Sequence, residues 1–357
     1  MQATARTEPP RLTHQRGSMV HLDEWVAPDI ADERGHLRAG KILEWMDVVG
    51  VVAATRHCRM PVVTAAIDGL VLRDPIRVGE RVTMSASIAH TSDRSLGVSV
   101  SMTHGRPDDS PRAVLDAYMS FVAVDEHGTP QLVPQFVPET PAEVTRFREG
   151  SLRRELRRKL ATGTMPIPVP APGQPADRET KLYIHELLKA FPRSLRFPWD
   201  RPERPTAQGR DVSYVHTIEP VRGGKLNFHG TLYGGTLMRW IETNASLSAR
   251  AYLAGEGVRL AGLHGLTFLR PILPNRFVHI RSLVVHTTGD SLTVMVNVQA
   301  EDAIAGEHEE TLRAFFTYAP VDAGRAPAPV TCAGDDERAV FEEVEHRLAM
   351  QRMLGAE

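Results

Sequence analysis

The chain has 357 residues, a formal net charge of −2 and a pI near 6.7, so no basic field marks it for nucleic acid or an anionic membrane surface. Hydrophobic residues make up 42%, an ordinary share for a globular protein, and the length suits two domains. The first twenty residues lack an apolar core of signal-peptide length, the longest apolar run (about Val48 to Ala54) is too short for a bilayer, and Cys58 and Cys332 make no disulfide framework. The expectation is a cytoplasmic protein without membrane association.

In chain order, a strand is expected at about Ser18 to Leu22, then a turn, DERGHLRAG (32–40), then a helix, KILEWMDVVGVVAATRH (41–57). That helix is apolar almost all round, which marks one enclosed by the protein. Four runs rich in Val, Ile and Thr follow at 62–72, 80–91, 95–104 and 112–124 and read as strands. A polar helix is expected at Ala142 to Leu160. Its arginines suit phosphate, but a solvated charged face is the simpler reading. Thr162 to Thr180, TGTMPIPVPAPGQPADRET, reads as a Pro-rich linker.

The same order then returns. A strand at about Val212 to Ile218 leads to the turn NFHGTLYGG (227–235), a helix at 236–253 and strands at 260–269, 277–287, 291–300 and 310–321. A last amphipathic helix carries Val340, Phe341, Val344 and Leu348 on one face and is expected to pack on the outside of the sheet. Gly35 and Gly230, Gly40 and Gly235, and Trp45 and Trp240 are each 195 residues apart, while HTSDRSLGV (90–98) and HTTGDSLTV (286–294) are 196 apart. A period that long means a duplicated domain rather than a solenoid. The boundaries expected are a first domain at 10–140, the polar helix and linker at 141–210, a second domain at 211–325 and a closing helix at 335–357. Each domain is α+β, an antiparallel sheet wrapped around one long helix.

Asp47 stands among Trp45, Met46, Val48 and Val49, where an ionised carboxylate is costly unless paired or used. Capping a neighbouring element or pairing with an arginine would also account for it. Glu242 holds the same helical position in the second copy. Both turns run straight into a helix N-terminus, whose unpaired N–H groups suit a developing oxyanion, although a plain tight turn has the same look. There is no zinc-ligand spacing, HExxH, Walker loop or GxSxG elbow. His57, His90 and His286 read as structural residues.

The order N-x-x-G-x-x-[FHY]-G-G, with an acid seven residues after the second Gly, resembles that of hotdog-fold acyl-CoA thioesterases. HTSDRSLGV, GLTFLRPI and PQFVPETPAEVTRFREG point to the double-hotdog, cytosolic acyl-CoA hydrolase type. The resemblance implies two tandem hotdogs packed side by side, with composite sites between them and acyl-CoA as substrate. Asp47 would be general base or nucleophile, Asn227 would orient water or the thioester, and N–H groups around Gly234 and Gly235 would hold the carbonyl oxygen. The other composite site, with Asp32, Gly40 and Glu242, would be degenerate because two carboxylates compete for a proton. Exchanging Asp32 for Asn and Glu242 for Asp is then expected to repair it. Ser95, Ser291 and Arg270 are expected near the CoA nucleotide. No metal or organic cofactor is implied, and three chains are expected to form a ring of six hotdogs. Two alternatives stay open: a hotdog acyl-CoA hydratase or dehydratase using Asp47 with His57, and a non-catalytic acyl-CoA-binding protein.

Overall fold

The computed structural model describes residues 12–13, 17–106, 109–161, 176–190, 195, 211–227, 229–321, 326–332 and 334–355. After a two-residue strand β1 (Leu12–Thr13), the first repeat runs β2 (Val20–Trp25), α1 (Ala39–Cys58), β3 (Val62–Ile67), β4 (Leu70–Val71), β5 (Arg81–Thr91), β6 (Ser95–Gly105) and β7 (Arg112–Ala123). β8 (Gln135–Phe136), α2 (Pro141–Ala161) and α3 (Arg178–Lys189) connect it to the second. The second repeat is β9 (Val215–Pro220), α4 (Gly234–Tyr252), β10 (Val258–Phe268), β11 (Phe277–Thr287), β12 (Leu292–Asp302) and β13 (Glu307–Pro320), closed by α5 (Asp335–Gly355).

Each repeat curls five antiparallel strands around its helix, in the order β2-β5-β6-β7-β3 and, mirrored, β10-β13-β12-β11-β9. Alternation along the strands makes this an inside and an outside. In β5, Val82, Met84, Ala86 and Ile88 are buried while the residues between them are not. Burying Val82, Met84 or Ile88 contributes roughly 1.5–3 kcal/mol each. Helix α1 is enclosed as its sequence predicts, with Leu43, Met46, Ala53 and Ala54 wholly inaccessible. The two hotdogs join edge to edge, because Ile67 and Ala66 of β3 pair with Leu266 and Thr267 of β10. One continuous sheet therefore carries α1 and α4 packed against one another on its concave side.

The strand expected over 62–72 is broken at Asp68 and Gly69. Asp68 turns out of the ladder to bond the guanidinium of Arg153 and, at 2.8 Å, the Lys189 ammonium, and β4 then crosses to pair with β10. Arg157 meets Glu186 at 2.9 Å and Arg154 faces Asp93 at 3.5 Å. These α2 arginines are paired with acids, which weighs against phosphate collection. The stretch read as linker also contains α3. Asp177 caps it by accepting the Thr180 N–H at 2.7 Å, and Leu182, Tyr183, Ile184 and Leu188 are buried. Residues 162–175, the Pro-rich core of that linker, lie outside the described residues.

On the outer face, α5 packs Val340, Val344 and Leu348 against Leu283, Val285, Met295 and Phe315. Phe341 lies over His286 with ring centres 4.4 Å apart, as Phe147 of α2 lies over His90 at 5.0 Å. The covering helix is thus repeated too, with little sequence left to reveal it. Among the described residues no helix is long and apolar enough to cross a membrane, and Cys58 and Cys332 form no disulfide.

Candidate active site

Gly35 and Gly230 adopt φ of 78° and 73° in the two turns, a left-handed backbone that glycine takes without strain. In each turn the acidic or amide residue organises the loop. The Asn227 Oδ1 accepts the N–H groups of His229 and Thr231 at 2.9 and 3.2 Å, and the Asp32 Oδ1 accepts those of Arg34 and His36 at 2.9 and 2.8 Å. Each turn then delivers its helix N-terminus onto the opposite repeat. A Cβ on Gly40 would come within 3.2 Å of the Arg239 carbonyl oxygen, and one on Gly235 within 3.1 Å of the Glu44 carbonyl oxygen. Only glycine permits this crossing without a shift.

The crossing brings a backbone donor to each buried carboxylate. The Gly235 N–H donates to Asp47 Oδ2 at 2.7 Å, and the Gly40 N–H donates to Glu242 Oε2 at 3.0 Å. Both are composite pairs, one partner from each repeat. Asp47 also accepts the Thr64 hydroxyl at 2.6 Å. Burial pushes the Asp47 carboxyl up to about 6, held back by the Thr64 and Gly235 hydrogen bonds. A carboxylate of that kind titrates near the working range of a general base.

A cavity of about 400 Å³ opens over Asp47. Asn227, His229, Tyr233 and Gly234 from the second repeat meet Thr64, Val51 and the Glu126–Gly128 loop of the first in its wall. Asn227 lines the cavity and donates one amide N–H to Thr231 Oγ1 at 3.0 Å. The Gly235 N–H is occupied by Asp47, and Gly234, at the first position of α4, lines the cavity beside it. Burial raises the Tyr233 phenol and lowers the His229 imidazole.

Arg270 lies on the cavity wall, paired with Glu309. Ser95 and Ser291 close the β5–β6 and β11–β12 hairpins, hydrogen bonded to Ser92 and Thr288 at 2.6 Å each, and neither lines the cavity. His57 stands ten residues beyond Asp47 on α1, about 15 Å along the axis. Its Nε2–H donates to the Pro134 carbonyl at 3.0 Å, and it is absent from the cavity wall. The Asp/His pairing required by the hydratase alternative is not formed.

Glu242 sits differently. Burial pushes its carboxyl up to about 7, opposed by the Tyr318 hydroxyl (3.2 Å), the Gly40 N–H and the charge of Arg38. Asp32 is not among the charges acting on it, so competition between two carboxylates is not what perturbs this site. The register explains the altered donor. Thr64 pairs with Phe121, whereas the equivalent Leu260 pairs with Tyr318, so the hydroxyl has moved one strand over to suit a longer acid. Arg34, in the turn position of His229, lies so close to Gly257 that a Cβ there would meet its Nε at 3.0 Å. Glu242 lines neither the Asp47 cavity nor the wide groove beside β10 and β13. Thr64 and Tyr318 were missed from the sequence. Aligning the repeats across the β3–β7 and β10–β13 ladders was the signal that would have found both.

A profile of the thioesterase superfamily matches residues 34–109 and 229–305. Over 173 residues the chain is 32% identical to the cytosolic acyl coenzyme A thioester hydrolase of Mus musculus, covering 47% of this chain and 44% of that one. Over 307 residues it is 26% identical to the acetyl-coenzyme A thioesterase of Rattus norvegicus, covering 85% of this chain and 51% of that one. The chain thus spans about half the length of the curated relatives it matches. A solved Lactobacillus plantarum structure, named as an oleoyl thioesterase, superposes with a TM-score of 0.50 at 8% identity over 86% of this chain and 98% of that one, a likeness of fold.

Proposed function

We propose that this chain, which belongs to the thioesterase superfamily, hydrolyses fatty acyl-CoA thioesters to free acid and CoA at the Asp47 cavity. The observation that carries the reading is the buried Asp47 carboxylate, bonded by a helix-terminal N–H from the other repeat and open to a cavity. Asp47 takes a proton from water, whose oxygen attacks the thioester carbonyl. Asn227 orients that water or the thioester, and the Gly234 N–H faces the developing oxyanion. The C–S bond then breaks toward sulfur, which leaves as the thiol once protonated. The base contributes about 10²–10⁴-fold and a positioned oxyanion donor a similar or larger factor. The chemistry calls on no metal or organic cofactor.

The Glu242 site is proposed to be silent. A cytosolic location is in keeping with the name of the Mus musculus relative, and a ring of three chains, six hotdogs in all, is the assembly we propose. Release of free thiol from octanoyl- and palmitoyl-CoA, followed with a thiol reagent, tests the activity. Tight acyl-CoA binding without thiol release would replace it with the non-catalytic alternative. A mass near 39.5 kDa by light scattering would overturn the ring and leave the fold untouched.

A further inference from the structure

The Asp47 cavity has a volume of about 400 Å³, and much of its wall is aliphatic. Val62, Val124, Leu237 and Ile272 are each under 5% exposed and locked into the core on their other sides. Val51 differs. It stands one helical turn beyond Asp47 on α1, lines the cavity and keeps part of its surface open. Apart from Asp47 on α1 and Thr64 on β3, the charged and amide members of the wall, Glu126, His127, Asn227, His229 and Arg270, come from loops and turns.

We infer that this chamber is an acyl-chain ruler, selecting short to medium acyl groups of up to about ten carbons, with Val51 setting its depth; the inference rests on the acyl-CoA reading above. At about 30 Å³ for a unit the size of a water or a methylene, the chamber holds roughly thirteen heavy atoms. The carbonyl carbon, its oxygen and the sulfur occupy three of them. A close-packed wall does not stretch to take more, because extra methylenes force side chains off their rotamers. In the second repeat the position of Val51 is held by Ser246, whose hydroxyl donates to the Thr243 carbonyl at 2.9 Å, so this aliphatic stop belongs to the Asp47 side alone.

S-alkyl-CoA thioethers from ethyl to hexadecyl, which lack a scissile ester, measure the chamber by calorimetry. Affinity is expected to rise about three- to fourfold per methylene while the chain is being buried, then to flatten near eight to ten carbons. Val51→Phe moves the break several carbons shorter, and Val51→Ala moves it about two carbons longer, with thermal melts reporting the fold of each variant. If Val51→Phe does not fold, the Ala variant alone decides. Affinity climbing steadily to hexadecyl, a break that ignores both substitutions, or no binding at any length overturns the ruler. Thiol release from the matching acyl-CoA series separates the two readings: a break in binding with no hydrolysis at any length supports the ruler and sinks the thioesterase assignment.

Discussion

Asp47 and Glu242 occupy one position in two copies of the same helix, and each receives an N–H from the opposite turn at 2.7 or 3.0 Å. What surrounds them differs. Asp47 has a small hydroxyl, Thr64, and an open cavity beyond it. Glu242 has the fully buried Tyr318 phenol, the charge of Arg38, and Arg34 laid against Gly257 where the other turn has His229. The added methylene of Glu242 and the shift of hydroxyl from β3 to β13 compensate one another, so the second carboxylate stays fully hydrogen bonded. A duplicated site can therefore keep its skeleton while its surroundings change, because the backbone crossing serves the packing of α1 against α4 as well as any chemistry.

The sharpest way to break this comparison is to neutralise each acid in turn. Asp47→Asn is expected to lower turnover by about two orders of magnitude or more, while Glu242→Gln leaves it within about twofold. Equal losses in steady-state thiol release would mean that both sites work.

The second contrast lies in stability. The Glu242 carboxyl is raised to about 7 in the fold against 4.5 for the free group. Below pH 4.5 both states hold the proton and nothing is lost. Between there and about pH 7 the unfolded chain gives up its proton first, so folding weakens as pH rises. Glu242→Gln should match the wild type in acid and gain on it up to neutrality, levelling off at about 1–3 kcal/mol. Urea melts at several pH values read this directly. A constant offset across that range would show that the buried acid is not protonated first in the fold.

A smaller effect belongs to Thr64. Its hydroxyl lowers the Asp47 carboxyl from where burial alone would put it, so Thr64→Val raises the apparent pKa. The ascending acid limb of kcat against pH should move upward from about 6, with part of the lost rate regained at pH 8. A uniform drop with an unmoved limb would assign Thr64 a packing role only.

The smallest expected effect is a null. In an Asp47→Asn background, Asp32→Asn with Glu242→Asp should restore no thioester hydrolysis, because the Arg38 charge and the Tyr318 hydroxyl on Glu242, the Leu260–Tyr318 pairing and the Arg34 packing on Gly257 are left unchanged. Recovery of measurable turnover would return the difference between the sites to the two exchanged residues.

Much of this was legible in the chain itself. Apolar periodicity and the 195-residue offset give the tandem helix-in-sheet fold, since burial pattern and turn chemistry are local properties. The crossed pairing of Asp47 with a glycine of the other copy was readable through the resemblance alone. Helix α3 was hidden because its signals, the Asp177 cap and a short apolar face, follow directly on a proline-rich run. Other features depended on what meets across the fold. Burial raises both carboxyls, the Gly235 N–H is bonded to Asp47 across the two copies, and the β10–β13 register sets Tyr318 where Phe121 stands in the first copy. Linear sequence records which groups a chain carries, but their ionisation and free space follow from distant segments that exclude water from them, and that exclusion is set only when the two sheets join.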